Sequence, residues 1–288
     1  MEGCRPAGSE REGEKVSRIL CSTGAIIALA NHRDYTLLAD IMPHLTCDGL
    51  EFMMYQSWHE GHIDGLKKAL ALYDVPVFHM TKQIGQWISE GNMTDAEAMF
   101  RQDCELAAAI GAKLLVLHLW SGHASDQHID RNIAAYPAVR AIAEEYGLTL
   151  TVENVLCNTV DPMTHMKALA EKYPDVLFTF DTKMAAFHSQ LEALYEPENA
   201  WLIPHIAHFH VNDYAGGHID WANMSAKALG RGHVDFDRFF AFVRGMGYTG
   251  DFTCEATALN ADGSVRFDEM NTSLGKIKLG IMNDELGM

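Results

Sequence analysis

Acidic and imidazole side chains stand at the ends of six apolar segments that follow one another along the chain. Such side chains seldom enter an apolar strand unless they are paired or hold a metal ion. The segments end F-H-M-T-K, V-L-H-L-W, V-E-N, F-D-T, H-V-N-D and C-E-A. The residues concerned are His79, His118, Glu153, Asp181, His210 and Glu255. Their common position predicts that they share one site.

The chemistry that these residue types favour is the binding of a divalent cation. Three carboxylates that converge in a low-dielectric site repel one another by several kcal/mol, roughly, unless a cation neutralises them. Glu153, Asp181 and Glu255 offer oxygen ligands and His210 offers nitrogen. This donor set suits Mn²⁺, Mg²⁺, Co²⁺ or Zn²⁺ and does not choose among them. We predict one such ion; the alternative is a purely structural polar cluster.

The remaining histidines have several interpretations. His79 and His118 could hold a second metal ion, bond substrate hydroxyls or lie in the core with satisfied hydrogen bonds, and we favour substrate contact. His208 alternates with His210 and so shares its face of a strand, but lies two residues deeper. We predict a structural role for His208.

Eight short apolar segments alternate with segments of helical spacing, and these elements must position the site. The predicted strands cover residues 16–23, 50–54, 76–80, 113–120, 148–155, 176–181, 203–211 and 251–256. The predicted helices cover residues 33–45, 63–73, 95–111, a part of 126–147, 162–173, 235–247 and 267–283. Most of these strands are apolar on both faces, which is typical of parallel sheets covered by helices.

The fold that this order predicts is an α/β TIM (β/α)₈ barrel, whose active site lies at the carboxyl ends of the strands. A doubly wound sheet is the main alternative, but no G-x-G-x-x-G follows the first strand. We predict one barrel domain over residues 16–288, preceded by a polar, disordered extension over residues 1–15. The irregular segment 213–233 leaves the mouth of the seventh strand, so we expect it to form a lid or to contact substrate.

The composition is that of a soluble protein, with 48% hydrophobic and 21% charged residues. A net charge of −17 argues against a nucleic-acid or anionic-membrane partner. The six cysteines are scattered without a C-x-x-C pair, as expected of reduced thiols. With no membrane-length apolar run and no apolar signal core near the start, we predict a cytoplasmic protein.

At the strand-end residues the sequence resembles the xylose-isomerase-like TIM barrels. This family includes ketose 3-epimerases, inosose isomerases and dehydratases, hydroxypyruvate isomerases and an apurinic-site endonuclease branch. The resemblance runs from about residue 16 to residue 255. Its carriers are V-E-N, F-D-T, H-V-N-D, G-R-G-H-V-D-F and G-Y-T-G-D-F-T-C-E-A. The order Glu, Asp, His, Glu on the fifth to eighth strands is its most specific feature.

The resemblance implies that Glu153, Asp181, His210 and Glu255 are the metal ligands of a sugar isomerase or epimerase. In such enzymes the metal bridges a carbonyl and the neighbouring hydroxyl and stabilises the enediolate that forms. We therefore expect a small sugar, ketose or cyclic polyol as substrate, with Glu153 and Glu255 as its acid and base. A homo-oligomer is possible, and the sequence does not show it.

Two departures from the family pattern matter. Family members often read D-x-x-H after the sixth strand, whereas the histidine position here is Met184 and the next histidine is His188. We keep His188 as a candidate substrate contact. The Asp-Arg-His set of the endonuclease branch is replaced by N-M-S-A at residues 223–226. The chain is therefore a poor candidate for cutting DNA.

Further candidates for substrate binding lie in the loops. Trp120 could stack on a sugar face or simply pack. Lys82 and Arg231 could bind a substrate phosphate or be solvated loop charges, and we favour an unphosphorylated substrate. A dehydratase of a cyclic polyol or keto acid, and a sugar-binding barrel without turnover, remain the alternative functions.

Overall fold

The computed structural model describes residues 17–120, 122 and 126–282, in which eight parallel strands close into a barrel. Each strand pairs with its sequence neighbours, and the first pairs with the eighth. The strands are β1 (Ile19–Ser22), β2 (Gly49–Met53), β3 (Val77–His79), β4 (Leu114–Leu117), β5 (Thr149–Glu153), β6 (Leu177–Asp181), β7 (Ile206–Val211) and β8 (Phe252–Cys254). The predicted TIM barrel is confirmed.

Helices cover the outside of the barrel. They are α1 (Leu38–Ile41), α2 (Ile63–Leu70), α3 (Gln83–Glu90), α4 (Met93–Ala109), α5 (Ile129–Glu145), α6 (Pro162–Lys172), α7 (Thr182–Phe187), α8 (Phe236–Gly245) and α9 (Phe267–Met282). Side-chain caps fix several of their starts: Asp161 accepts from the Thr164 amide at 2.8 Å and Asp235 accepts from the Arg238 amide at 3.0 Å. No helix of the described ranges is long and apolar enough to cross a membrane.

The core lies mostly between the strands and the helices. Alternate strand residues point outward to the helices and form one large cluster with them. Its strand members include Phe52, Phe78, Phe178, Phe180, Phe209 and Phe252. The opposite parity points into the barrel, where Leu20, Val77 and Val116 form a small separate cluster. The aromatic packing that holds the fold is therefore outside the barrel, and the lumen is left for polar groups.

Local chemistry explains where the predicted elements differ from the structure. The predicted helix over residues 33–45 is three short turns, Tyr35–Leu37, Leu38–Ile41 and Met42–His44, and Pro43 lies in the last of them. Proline lacks an amide proton and disfavours helical backbone before it. The seventh strand begins at Ile206 rather than 203, because Pro197–His205 is a 3₁₀ segment that contains Pro204. The predicted extension over residues 1–15 lies outside the described residues.

Candidate metal centre at the barrel mouth

Four strands bring the predicted metal ligands together at the carboxyl end of the barrel. Glu153 ends β5, Asp181 ends β6, His210 lies near the end of β7 and Glu255 follows β8. One ligand atom of each lies within 4.8 Å of those of the other three. The sequence-predicted set is thus a spatial cluster.

The Nδ1 atom of His210 faces the three carboxylates of this cluster. It is 3.0 Å from Glu153 Oε1, 3.5 Å from Glu255 Oε2 and 4.0 Å from Asp181 Oδ2. Glu255 is the most open of the four, with 12% of its side chain exposed, whereas the others are buried. Access to the cluster from solvent is therefore on the side of Glu255.

Charges and burial act in opposite directions on these groups. Burial would raise the pKa of Glu153, but the neighbouring His118 and His210 lower it well below its usual range. Burial would lower the pKa of His210, but the charges of Glu255, Glu51 and Glu153 raise it well above its usual range. Burial, with Glu51 and Glu153 nearby, raises the pKa of Glu255. The cluster is an excess of buried negative charge that favours a cation.

Asp181 is oriented by its own backbone surroundings. Its Oδ1 accepts from the Met184 amide at 2.6 Å, as the N-cap of α7, and its Oδ2 accepts from Asn212 at 2.9 Å. Asn154 holds the Asp181 backbone through Oδ1, which accepts from the Asp181 amide at 2.6 Å. Met184, at the departure from the family pattern, thus contributes its amide rather than a side-chain ligand.

His79 and His118 converge on the second oxygen of Glu153. The Nε2 atom of His118 lies 2.5 Å from Glu153 Oε2, at an angle that gives neither atom a hydrogen bond, and that of His79 lies 3.5 Å away. Burial lowers the pKa of His118 to about 4. One ligand atom each of His79, His118 and Glu153 lie within 4.8 Å of one another. The two histidines therefore adjoin the four-residue cluster.

Glu51 is a buried acid at this site that the sequence reasoning missed. Its Oε2 accepts from Thr253 Oγ1 at 2.8 Å, His210 Nε2 at 2.9 Å and His208 Nε2 at 3.2 Å. Burial would raise the pKa of Glu51, but the two histidines lower it. The missed signal was a lone acid inside the apolar strand G-L-E-F-M rather than at its end. His208, predicted to be structural, is buried and bonds Glu51 and Thr253 below the cluster.

The other predicted substrate contacts are Lys82, Trp120, His188 and Arg231, and each has different surroundings. Lys82 is exposed just before α3, near enough to His118 to lower its pKa further. Trp120 is fully buried, and its indole donates to the Val155 carbonyl at 2.8 Å. His188 Nε2 accepts from the Cys157 amide at 3.1 Å. Arg231 is 72% exposed and lies 3.7 Å from Glu269 on α9, so the structure does not bring it into the cluster.

Comparison with known proteins gives the fold family. The profile described as xylose isomerase-like TIM barrel matches residues 44–270. The chain belongs to the xylose isomerase-like TIM-barrel family. Comparison with curated proteins finds no significant match. The solved structures that resemble the chain include sugar 3-epimerases.

Three solved structures illustrate the likeness. A D-tagatose 3-epimerase-like protein is 18% identical, with 94% of this chain and 100% of that chain covered and a TM-score of 0.66. The D-psicose 3-epimerase of Clostridium cellulolyticum H10, solved with D-tagatose, is 13% identical over 92% and 99%, with a TM-score of 0.67. The IOLI protein, solved with a bound zinc atom, is 12% identical over 94% and 100%, with a TM-score of 0.66. At these identities the likeness shows the fold.

Proposed function

We propose that the chain is a divalent-metal-dependent isomerase or epimerase of a sugar, ketose or cyclic polyol. The observation that carries the proposal is the set of ligand atoms of Glu153, Asp181, His210 and Glu255, all within 4.8 Å of one another in a buried barrel mouth. The similar structures support it, because they include a sugar 3-epimerase and a protein solved with a bound zinc atom.

The donors fit a divalent cation. Two buried carboxylate oxygens of the cluster, Glu153 Oε2 and Glu255 Oε1, have no hydrogen-bond partner among the described residues. A buried carboxylate oxygen without a partner is unfavourable unless a ligand completes it. Three carboxylates and one imidazole would hold Mn²⁺, Zn²⁺, Co²⁺ or Mg²⁺, and the donor set does not choose among them. Such an ion would supply Lewis-acid polarisation of a substrate carbonyl and would stabilise negative charge that develops beside it.

The two glutamates would move the substrate proton. Glu153 and Glu255 come from β5 and β8, with two strands between them, so they approach a substrate at the mouth from different directions. In an epimerisation one carboxylate removes a proton from one face of a carbon and the other carboxylic acid returns a proton to the opposite face.

His79 and His118 would bond substrate hydroxyls beside Glu153. Both are buried, and the lowered pKa of His118 keeps its ring neutral near pH 7, so that one ring nitrogen donates and the other accepts. Their geometry also supports a second candidate role as ligands of a second ion with Glu153. Metal analysis after dialysis distinguishes the two: we expect one ion per chain, and two ions would favour the second role.

The decisive experiment follows solvent deuterium into substrate. The Mn²⁺-loaded protein is incubated in D₂O with a panel of ketoses and cyclic polyols. An epimerase labels and inverts one carbon, a dehydratase loses water and a binding protein does neither. Glu153→Gln and Glu255→Gln keep the side-chain shape and remove the base, so we expect kcat to fall about 10²–10⁴-fold in each. Unchanged turnover in both variants would exclude these acid–base roles.

A further inference from the structure

A cavity of about 590 Å³ opens at the rim formed by the segments after β1 and β2. Both strands end at this face of the barrel, at Ser22 and Met53, the same face as the predicted ligands. The lining side chains include His32, Arg33, Tyr35, Thr36, Trp58 and His62. The lining is thus rich in hydrogen-bond donors.

The backbone at this cavity is held in an uncommon conformation. His32 and Arg33 are consecutive residues with positive φ, at 59° and 54°, and neither is glycine. The Arg33 amide donates to the Ala28 carbonyl at 2.8 Å, and the Trp58 indole donates to the Arg33 carbonyl at 3.2 Å. Strained residues that surrounding bonds hold in place are concentrated at ligand sites. Here the strain sets where the Arg33 side chain leaves the main chain.

Among the residues that the structure describes, the Arg33 guanidinium has no acidic partner, and its buried Nε has no hydrogen-bond partner. It stacks over the Tyr55 ring, 4.4 Å from the centroid. No carboxylate within the described ranges lies within 4.0 Å of it, whereas Arg18, Arg140 and Arg266 each pair with an acid. A guanidinium with free donors, fixed by stacking, matches the geometry of a phosphate or a carboxylate.

Two neighbours define what this guanidinium can bind. Asp34 lines the same cavity, but its Oδ1 accepts from the Thr36 amide at 3.0 Å and the Thr36 hydroxyl at 2.6 Å. Tyr55 follows β2, and its ring carries the Arg33 guanidinium. Its hydroxyl donates to the Ile27 carbonyl at 2.8 Å, and the charges of both Arg33 and Glu255 act on it. Arg33 follows β1 and Glu255 follows β8, two strands that are paired in the barrel, so both residues belong to segments at the same face.

We propose that Arg33 binds an anionic group, a phosphate ester or a carboxylate, on the sugar whose reacting carbons lie at the metal cluster. The inference rests on the proposed function, and its phosphate alternative departs from the unphosphorylated substrate that the sequence alone favoured. Arg33, rather than Arg231 or Lys82, is the cation that selects the substrate.

The test compares binding of three probes to the Mn²⁺-loaded protein by titration calorimetry: a neutral ketohexose, its terminal phosphate ester and a sugar acid. We expect the wild type to bind one of the two anionic probes at least about tenfold more tightly than the neutral sugar, and which one it is identifies the group. Arg33→Met should lose this preference, so that the Kd values of the three probes become similar. Arg33→Lys should keep part of it, as a point charge without the planar fork.

Arg140→Met is the matched control, because Arg140 lies on α5 in a surface pair with Asp175 and has the same charge. It should keep the full preference, and thermal unfolding checks that every variant is folded. A wild type that binds neither anion more tightly than the neutral sugar would overturn the proposal, and so would an unchanged preference in Arg33→Met. Proton exchange on neutral ketoses without any anion preference would sustain the proposed function while overturning the role of Arg33.

Discussion

At the scale of single residues, Glu51 explains how His210 can serve as a ligand. A carboxylate only accepts hydrogen bonds, so the 2.9 Å contact with Glu51 places a proton on His210 Nε2, and the 3.0 Å contact with Glu153 places one on Nδ1 that a bound cation would replace. The other ring nitrogen, Nδ1, is the one that faces Glu153, Glu255 and Asp181. Glu51 is therefore a positioning residue that fixes the ring and its tautomer from beneath.

The first prediction follows from this contact. Glu51→Gln keeps the shape but removes the charge that orients His210, so we expect Mn²⁺ affinity to fall about 10–100-fold. Titration calorimetry on the metal-free variant measures it. Glu105→Gln, at an exposed position of α4, is the control and should bind as the wild type does. An unaltered Mn²⁺ affinity in Glu51→Gln would show that His210 needs no such support.

The sequence predicts residues at strand ends better than residues inside strands. Glu153, Asp181, His210 and Glu255 interrupt apolar runs in the same place, so one rule finds all four. Glu51 lies in the middle of its apolar run, where the sequence does not show whether the side chain points into the barrel or away from it. The placement of Trp120, His188 and Arg231 depends on loop conformation, which periodicity does not encode.

At the scale of elements, the segment after β7 is organised by the Asp213 carboxylate. Its Oδ1 accepts from the amides of Tyr214 and Val234 at 2.8 and 3.1 Å, and its Oδ2 accepts from those of Gly230 and Gly232, both at 2.8 Å. A Cβ on Gly232 would collide with the Tyr214 carbonyl, so glycine permits the close approach. The predicted loop is thus fastened at its base.

We expect Asp213→Asn to loosen this segment. The amide group of asparagine turns a donor toward two backbone donors, which leaves buried N–H groups unpaired and lowers the free energy of unfolding by about 1–3 kcal/mol. Hydrogen exchange should accelerate in residues 228–234. Asp262→Asn alters an exposed turn whose carboxylate accepts from Ser264 alone, and it serves as the comparison. If Asp213→Asn and Asp262→Asn protected residues 228–234 from exchange equally well, the Asp213 carboxylate would not be what holds this segment.

A second carboxylate joins the segments after β4 and β5. Asp126 is buried, its Oδ1 bonds His165 Nε2 at 2.7 Å and its Oδ2 accepts from the amides of Asn158 and Thr159. Burial would raise the pKa of Asp126, but these hydrogen bonds lower it. A carboxyl group with a lowered pKa stabilises the folded state above its ordinary pKa and loses that effect as the pH falls.

The corresponding prediction concerns Asp126→Asn. At pH 7 we expect a loss of about 1–3 kcal/mol in the free energy of unfolding, since the backbone amides lose a charged acceptor. The difference from wild type should persist down to a pH of about 4 and shrink below it, as the carboxyl group takes up its proton. Urea unfolding between pH 3 and pH 7 measures this. A difference that is constant across the range would exclude the carboxylate as its source.

The elements themselves show where periodicity stops being informative. All eight strands are found, because two-sided apolar runs bounded by turns have few other solutions. The helix α7 is missed: it begins at Thr182, directly after β6, and all of its residues are buried, so it has no exposed polar face to reveal its period. The helix α3 is also missed; it approaches β4 so closely that a Cβ on Gly85 would collide with the His118 carbonyl.

At the scale of the whole molecule, the acidic excess of the cluster links metal binding to stability. A ligand that binds only the folded chain adds RT ln(1 + [L]/Kd), which is about 2.7 kcal/mol at a concentration of 100 Kd. We therefore expect Mn²⁺ to raise the unfolding temperature and EDTA to reverse the change. Scanning calorimetry of metal-free and loaded protein tests this. Glu255→Gln should show a smaller rise, and a rise of equal size would place the ion elsewhere.

The small apolar cluster of Leu20, Val77 and Val116 has a consequence for how tolerant this architecture is. Most of the apolar packing lies between strands and helices. The lumen above these three side chains instead holds the buried polar residues Glu51, His208, Thr151, Thr179 and Thr253. The inner wall is therefore a hydrogen-bonded support for the four-residue cluster rather than an apolar core. A change of function in this barrel would thus require polar side chains to be replaced together with their hydrogen-bond partners. A larger side chain on the inner wall would displace these polar groups while leaving the packing between strands and helices intact.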